Sequence, residues 1–244
     1  MAGRVQDRVA LVTGGSSGIG RAAAERLAQE GALVVITDLQ DAKGADVVAA
    51  IQAMGGRAEY HHHDVTQEQA WIDVMAAIKA RHGRLDVLVN NAGIGISASV
   101  LDMSLADFQR QTAINVDGVF LGCKHGIPLM RVSGAGGSII NISTAWAFEP
   151  SAMFPTSAVF RAGLASYTKI FSDDFAPKNV RMNNILPGWI DSLPATEARR
   201  QSVPMGRYGR AEEIAATVAF LASDGGGYIT GQNLRVDGGI TRSV

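Results

Sequence analysis

The sequence predicts an α/β fold: one doubly wound parallel sheet of seven strands with helices on both faces. Three observations carry this. Short runs rich in Val, Ile and Leu alternate along the chain with segments of helical period, the pattern of successive strand–helix–strand units. The run Leu33 to Thr37 is continuously apolar rather than alternating, as a strand covered on both faces should be. Finally, 47% of the 244 residues are hydrophobic, enough for a core on each side of the sheet, and such folds fill this length as a single domain, here 1–244.

Val9 to Thr13 reads as the first strand. Gly18 to Gln29 reads as a helix that turns Ala22, Ala23, Leu27 and Ala28 inward, with Gly31 placed to end it. Leu33 to Thr37 is the second strand, and Asp41 to Met54 a helix closed by Gly55-Gly56. Arg57 to His61 and Gln67 to Arg81 give the third strand and its helix. Leu85 to Val89 is the fourth strand, followed by a long helix over about Leu105 to Met130. Ser138 to Ile142 is the fifth strand, with a helix over roughly Arg161 to Phe175. Val180 to Leu186, a helix over Ala211 to Ala222 and the strand Asn233 to Val236 complete the series. Pro187 to Gly209 has no clean period and reads as a substrate-side loop.

Composition excludes several classes. A net charge of −1 argues against nucleic acid or an anionic membrane as the partner. The single cysteine, Cys123, forms no intrachain disulfide, so an oxidising compartment is not needed. No apolar run reaches the roughly 18 residues of a membrane span, and Met1 to Val9 is unlike a signal peptide. A soluble cytoplasmic protein is the expectation. His61, His62 and His63 are adjacent in a strand, where side chains alternate, so they do not read as a metal site.

The strongest motif is Thr13-Gly14-Gly15-Ser16-Ser17-Gly18-Ile19-Gly20, between the first strand and the first helix. That context gives a glycine pattern its meaning. Gly14 permits the tight turn, while Gly18 and Gly20 let backbone approach a pyrophosphate and let the helix pack on the sheet. The helix N-terminus then offers free N–H groups and a partial positive charge to phosphates. Gly14, Ser16, Ser17, Gly18, Ile19 and Gly20 are therefore the candidate phosphate loop of a Rossmann-type domain. Asp38, with Leu39 after it, ends the second strand. A carboxylate there accepts both ribose hydroxyls and repels a 2′-phosphate, so NAD is favoured over NADP.

With these motifs the sequence resembles the short-chain dehydrogenase/reductase family over essentially its whole length. The loop has the family's three residues between Gly14 and Gly18. Asp64-Val65 matches the acidic position that touches adenine, and Asn90-Asn91-Ala92-Gly93 the motif that lines the cofactor. Asn115 matches the asparagine that holds a water in a proton relay, and Ser143 the substrate-orienting serine. Pro187-Gly188 matches the turn after the sixth strand. Ile190 and Ser192 fall where the nicotinamide carboxamide is held, Ser192 in place of the common threonine. Gly231-Gln232 and Asp237-Gly238-Gly239 match the usual ending. The resemblance implies a nicotinamide-dependent oxidoreductase, a small-molecule substrate and a homotetramer. The long helix and the helix carrying Ala162, Gly163, Ala165 and Ser166 resemble those of the family's dimer core.

One stretch departs from the family. There a tyrosine acts as acid/base, and a lysine four residues later binds ribose and lowers the phenol's pKa. In one register Ser157 and Arg161 fall at these positions; in the other, Thr156 and Phe160 do. The first keeps a cation and the packing pattern. Tyr167-Thr168-Lys169 lies two turns further on, at the wrong spacing. Three readings stay open: an oxidoreductase whose proton comes through Asn115 and water, from substrate, or from His125 or Glu149; reduction of an iminium by hydride alone; or a non-catalytic NAD-binding subunit paired with an active relative. Ser143, Asn115, Ser157 and Arg161 are the candidate catalytic residues. Ile94, Ser143, Trp146, Phe148, Met153, Phe154 and Trp189 are placed to line an apolar, aromatic-sized pocket. The short Asp191 to Pro204 loop implies a small lid over an open site.

Overall fold

The computed structural model describes residues 3–132, 134, 136–150 and 155–242, and within the last segment the side chains from Ser157 onward. In chain order its elements are β1 (Val9–Thr13), α1 (Gly18–Gln29), β2 (Leu33–Asp38), α2 (Asp41–Ala53), β3 (Arg57–His62), α3 (Glu68–His82), β4 (Val87–Asn90), α4 (Leu105–Thr112), a π-helical turn (Ala113–Asp117), α5 (Gly118–Met130), β5 (Gly137–Ile142), α6 (Pro155–Phe175), β6 (Val180–Pro187), α7 (Glu197–Ser202), α8 (Ala211–Ala222) and β7 (Asn233–Val236).

The strands form one all-parallel sheet in the order β3-β2-β1-β4-β5-β6-β7. Its two faces carry separate cores. On one, Val12, Ile36 and Ile140 meet Leu27, Ile51 and Ile214 of α1, α2 and α8. On the other, Leu11, Leu88 and Ile139 meet Trp71, Ile78, Ile127 and Leu164 of α3, α5 and α6. Burial on both sides is why β1 has no polar face.

Three elements differ from the sequence reading. The long helix is interrupted by the π turn, a feature of hydrogen-bond register that hydrophobic period does not reveal. Helix α6 starts at Pro155, six residues before the expected Arg161, with proline in the first-turn position it favours. The supposed loop after β6 contains α7, whose N-cap Thr196 accepts from Arg199 N–H; six residues are too few to display a period. Among the described residues no helix is long and apolar enough to cross a membrane, and no three metal-ligating side chains gather. His61 turns to Glu59, His62 to Asp41 and His63 to Thr37.

Candidate active site

The chain leaves β1 toward β2 on one side and returns through β4 on the other, so the loops at the strand ends part there. That switch point is where doubly wound sheets form a ligand crevice. It holds a cleft of about 610 Å³, lined by Gly14, Ser17 to Ile19, Asp38 to Gln40, His63 to Val65, Asn91 to Gly95, Ser143, Ser157, Arg161 and Ser192.

Gly14 and Gly18 have φ of +62° and +52°, a region open mainly to glycine. A Cβ on Gly20 would lie 2.2 Å from the carbonyl oxygen of Gly14, so Gly20 sits beneath the loop as a packing residue. The N-cap Ser17 makes no side-chain cap, and no acidic residue occupies the first turn of α1. The helix therefore presents open N–H groups and its positive end to the cleft. These residues fit a dinucleotide's phosphates.

Asp38 is engaged on both oxygens. Oδ2 accepts from the N–H and hydroxyl of Ser16 at 3.2 and 2.6 Å, and Oδ1 from the N–H groups of Leu39 and Gln40. Ser16 is thus buried behind Asp38 rather than placed in the cleft. Asp64 uses Oδ1 to accept from the N–H and hydroxyl of Thr66, while Val65 closes the wall beside it. His63, which the sequence reading gave no role, lines the cleft too. Its ring is edge-on to Trp71, its Nδ1 meets Thr37, its Nε2 has no partner, and burial lowers its pKa to about 4.

Asn91 stitches β4 to the phosphate loop. Its Nδ2 donates to the carbonyls of Thr13 and Gly14, while Thr13 Oγ1 receives the N–H groups of Asn91 and Ala92. Next door, Asn115 in the π turn is fully buried. Its Nδ2 donates to Ile94 O at 2.8 Å and its Oδ1 accepts from Ile94 N–H at 3.2 Å. Arg161 on α6 completes this corner. Nη1 donates to Ile142 O at 2.6 Å and Nη2 to Asn115 Oδ1, while Nε is sealed from solvent without a partner. Desolvation draws its pKa down to about 10, which leaves it cationic at neutral pH. Gly93 is hemmed in by both side chains: a Cβ there would meet Arg161 Nη2 at 2.9 Å and Asn115 Oδ1 at 3.0 Å.

Ser143 is buried at the end of β5, and its hydroxyl has no hydrogen-bond partner although it borders the cleft. Beyond it opens a second pocket of about 570 Å³, lined by Ser143, Ser157, Pro187 to Ile190, Ser192, Trp146 and Arg199. Gly188 lies flush against Asp237, and Ile190 is anchored by backbone pairing with Gly209. Trp146 and Trp189 face each other at 4.5 Å between ring centroids. Arg199 lies over the Trp189 ring. Neither Arg199 nor Thr144, which borders both spaces, was singled out by the sequence, because α7 and the turn after β5 carry no motif.

Several expected residues lie elsewhere. Phe160 turns away from the cleft and packs against Phe108 at 5.1 Å, while Ser157 and Arg161, one helical turn apart on α6, both face the cleft. His125 pairs with Glu68 on the outside of α3 and α5, Glu149 receives the backbone N–H of Arg242, and Phe148 is exposed; none of the three borders either pocket. Met153, Phe154 and the side chain of Thr156 lie outside the described residues.

Sheet order, glycine turn and the hydroxyl at the end of β5 together define a nicotinamide-dependent oxidoreductase of Rossmann type. The chain belongs to the short-chain dehydrogenase/reductase family. Residues 14–241 match a family model described as enoyl-(acyl carrier protein) reductase. The chain is 39% identical to a 2,5-dichloro-2,5-cyclohexadiene-1,4-diol dehydrogenase of Sphingobium indicum, over 98% of each chain. It is 40% identical to a cis-4-hydroxycyclohexanecarboxylate dehydrogenase of Sinomonas cyclohexanicum, over 96% of this chain and 97% of that one. A solved short-chain dehydrogenase/reductase from Serratia marcescens, in mutant form, superposes with a TM-score of 0.92 at 34% identity, covering 98% of this chain and all of the other.

Proposed function

We propose that this protein is an NAD(H)-dependent dehydrogenase or reductase of a small cyclic alcohol or ketone, working without the family's tyrosine and lysine. The observation that carries this is the buried, unpartnered hydroxyl of Ser143. Leaving such a group unpaired costs about 1–3 kcal/mol, a cost removed when the side chain turns its hydroxyl to a substrate oxygen in the pockets that Ser143 borders. The cyclic substrate class is carried over from the relatives' names and suits the tryptophan-lined pocket.

In this reading the loop Gly14 to Gly20 holds the pyrophosphate, Asp38 the adenosine ribose, and Asp64 and Val65 flank adenine. Asn91 to Gly93, Pro187, Gly188, Ile190 and Ser192 enclose the nicotinamide half. Bound there, the cofactor supplies or accepts the hydride. Ser143 donates to the substrate oxygen and fixes the reacting carbon. Arg161 stays protonated and places a positive charge beside the developing alkoxide, which lowers its energy without a proton being moved. Ser157 is too weak an acid to replace a phenol of pKa about 10, so the proton comes from water entering the open cleft. An iminium, which hydride alone converts to a neutral amine, is a second substrate class that needs no acid.

A second reading, a non-catalytic NAD-binding partner of an active relative, is favoured by one observation. Among the described residues at the nicotinamide end there is no Tyr, His, Lys or carboxylate. Titration with NADH and NADPH, followed by a panel of cyclic alcohols, ketones and imines, separates the two. Turnover that Ser143→Ala lowers at least tenfold without lowering the Tm supports the enzyme; NADH binding with no turnover across the panel supports the partner. A cytoplasmic homotetramer accompanies the enzyme reading. Exposed Ala162, Gly163 and Ser166 on α6, beside exposed Val159 and Ile170, and Phe120 on α5 support close helix contact, while Ala165 faces inward. Sedimentation equilibrium gives the stoichiometry.

A further inference from the structure

We propose that the substrate of this site carries an anionic group, a carboxylate by preference, which Arg199 receives at the mouth of the substrate pocket. The inference rests on the oxidoreductase reading above and deepens it. Among the described residues bordering the substrate-side pocket, Arg199 is the sole ionisable one, and the walls are otherwise apolar or hydroxylic. Among the described residues no acidic side chain pairs with it. Its neighbours Arg200, Arg207 and Arg210 are each claimed by Glu197 or Glu213. Arg199 instead places its guanidinium 4.3 Å from the centroid of the Trp189 ring and gives one donor to Pro194 O at 3.3 Å.

This arrangement is suited to an anion in three ways. The ring beneath holds the guanidinium by cation–π attraction, which fixes a long side chain before a ligand arrives. One of five N–H donors is in use, so a two-pronged edge remains for a carboxylate, the partner that planar geometry matches best. Arg199 borders the substrate pocket and not the cofactor cleft, so a cofactor phosphate is not its partner. A substrate ring lying along Trp146 and Trp189 would thus have its polar reacting end at Ser143 and its charged end at Arg199. Because α7 carries the cation, the short lid segment sets which substrates are held.

The test uses binding rather than turnover. Wild-type protein saturated with NADH is titrated calorimetrically with 4-oxocyclohexanecarboxylate and with its methyl ester. The carboxylate is expected to bind at least tenfold more tightly. Arg199→Gln should erase that preference while leaving NADH affinity intact, which also shows that the variant is folded, and Arg199→Lys should keep part of it. Equal binding of acid and ester, no binding of either, or a preference that survives Arg199→Gln overturns the proposal. Both titrations are repeated without NADH, so a chain that fails to bind NADH still reports on Arg199, and the two readings fail separately.

Discussion

Arg161 Nη2 donates to Asn115 Oδ1 across 3.1 Å, tying α6 to the π turn. The same asparagine brackets Ile94 through both its N–H and its C=O. Two side chains from distant segments therefore hold the Asn91 to Gly95 strip against the cleft. Asn115→Ala leaves the backbone groups of Ile94 and one guanidinium donor unpaired, at about 1–3 kcal/mol each when buried. A Tm fall of several degrees and at least tenfold weaker NADH binding are expected, read by thermal unfolding and by NADH fluorescence. Unchanged affinity would show that Asn115 does not position the strip.

The acid/base assignment can be tested by gain of function. Ser157 and Arg161 are four residues apart on α6 and face the same cleft. Installing Ser157→Tyr together with Arg161→Lys puts a phenol and an amine on that face. Since a positioned general acid or base contributes about 10²–10⁴ in rate, turnover of a cyclic alcohol should rise by about 10² or more. A double variant that binds NADH normally yet gains no rate would remove Ser157 from the acid position.

In the proposed reading Asp38 sets the choice of cofactor. Asp38→Ala removes the charge that opposes a 2′-phosphate, so the NADH-over-NADPH preference should shrink at least tenfold. The same change strips Ser16 and the Leu39 and Gln40 N–H groups of their acceptor, and NADH affinity falls as well. An unchanged preference would assign the choice to another residue.

Burial keeps His63 neutral, with its pKa lowered from 6.5 to about 4. The unfolded chain takes up this proton below pH 6.5 and the folded chain only near pH 4. The contribution to stability is therefore complete above pH 6.5 and declines as pH falls from 6.5 toward 4. His63→Phe keeps a ring against Trp71 and removes the titration. Urea midpoints between pH 7 and 4.5 should fall less steeply for that variant; parallel slopes would assign the acid sensitivity elsewhere.

The sheet was legible because strands covered on both faces run apolar, as Val9–Thr13 and residues 33–36 do, whereas Val180–Pro187 buries Arg181, Asn183 and Asn184 within an otherwise apolar run. The glycine turn after β1 was legible because positive φ at Gly14 and Gly18 demands glycine. The preference for Arg161 over Phe160 was reached by keeping a cation and the helix packing pattern, and in the structure Phe160 packs on Phe108. What stayed hidden depends on distance in sequence. Arg199 borders the pocket only because Trp189, ten residues earlier, supports it. Asn91 reads as a ligand residue, yet its amide is occupied by Thr13 and Gly14, some 77 residues away. His125 and Glu149 have the right chemistry but the wrong location, which no local pattern records.

The π turn at Ala113–Asp117 writes part of the candidate site in chain length rather than in residue identity. A π turn accommodates one surplus residue in an otherwise α-helical path. Losing Ile114 or Val116 would close this turn into regular α-helix and shift the register between α4 and α5. Asn115 would then leave Ile94 and Arg161 with no substitution at any of the three. For this protein a single-codon deletion on the helix is a change at the site, and sequence comparison that scores only matched letters would miss it.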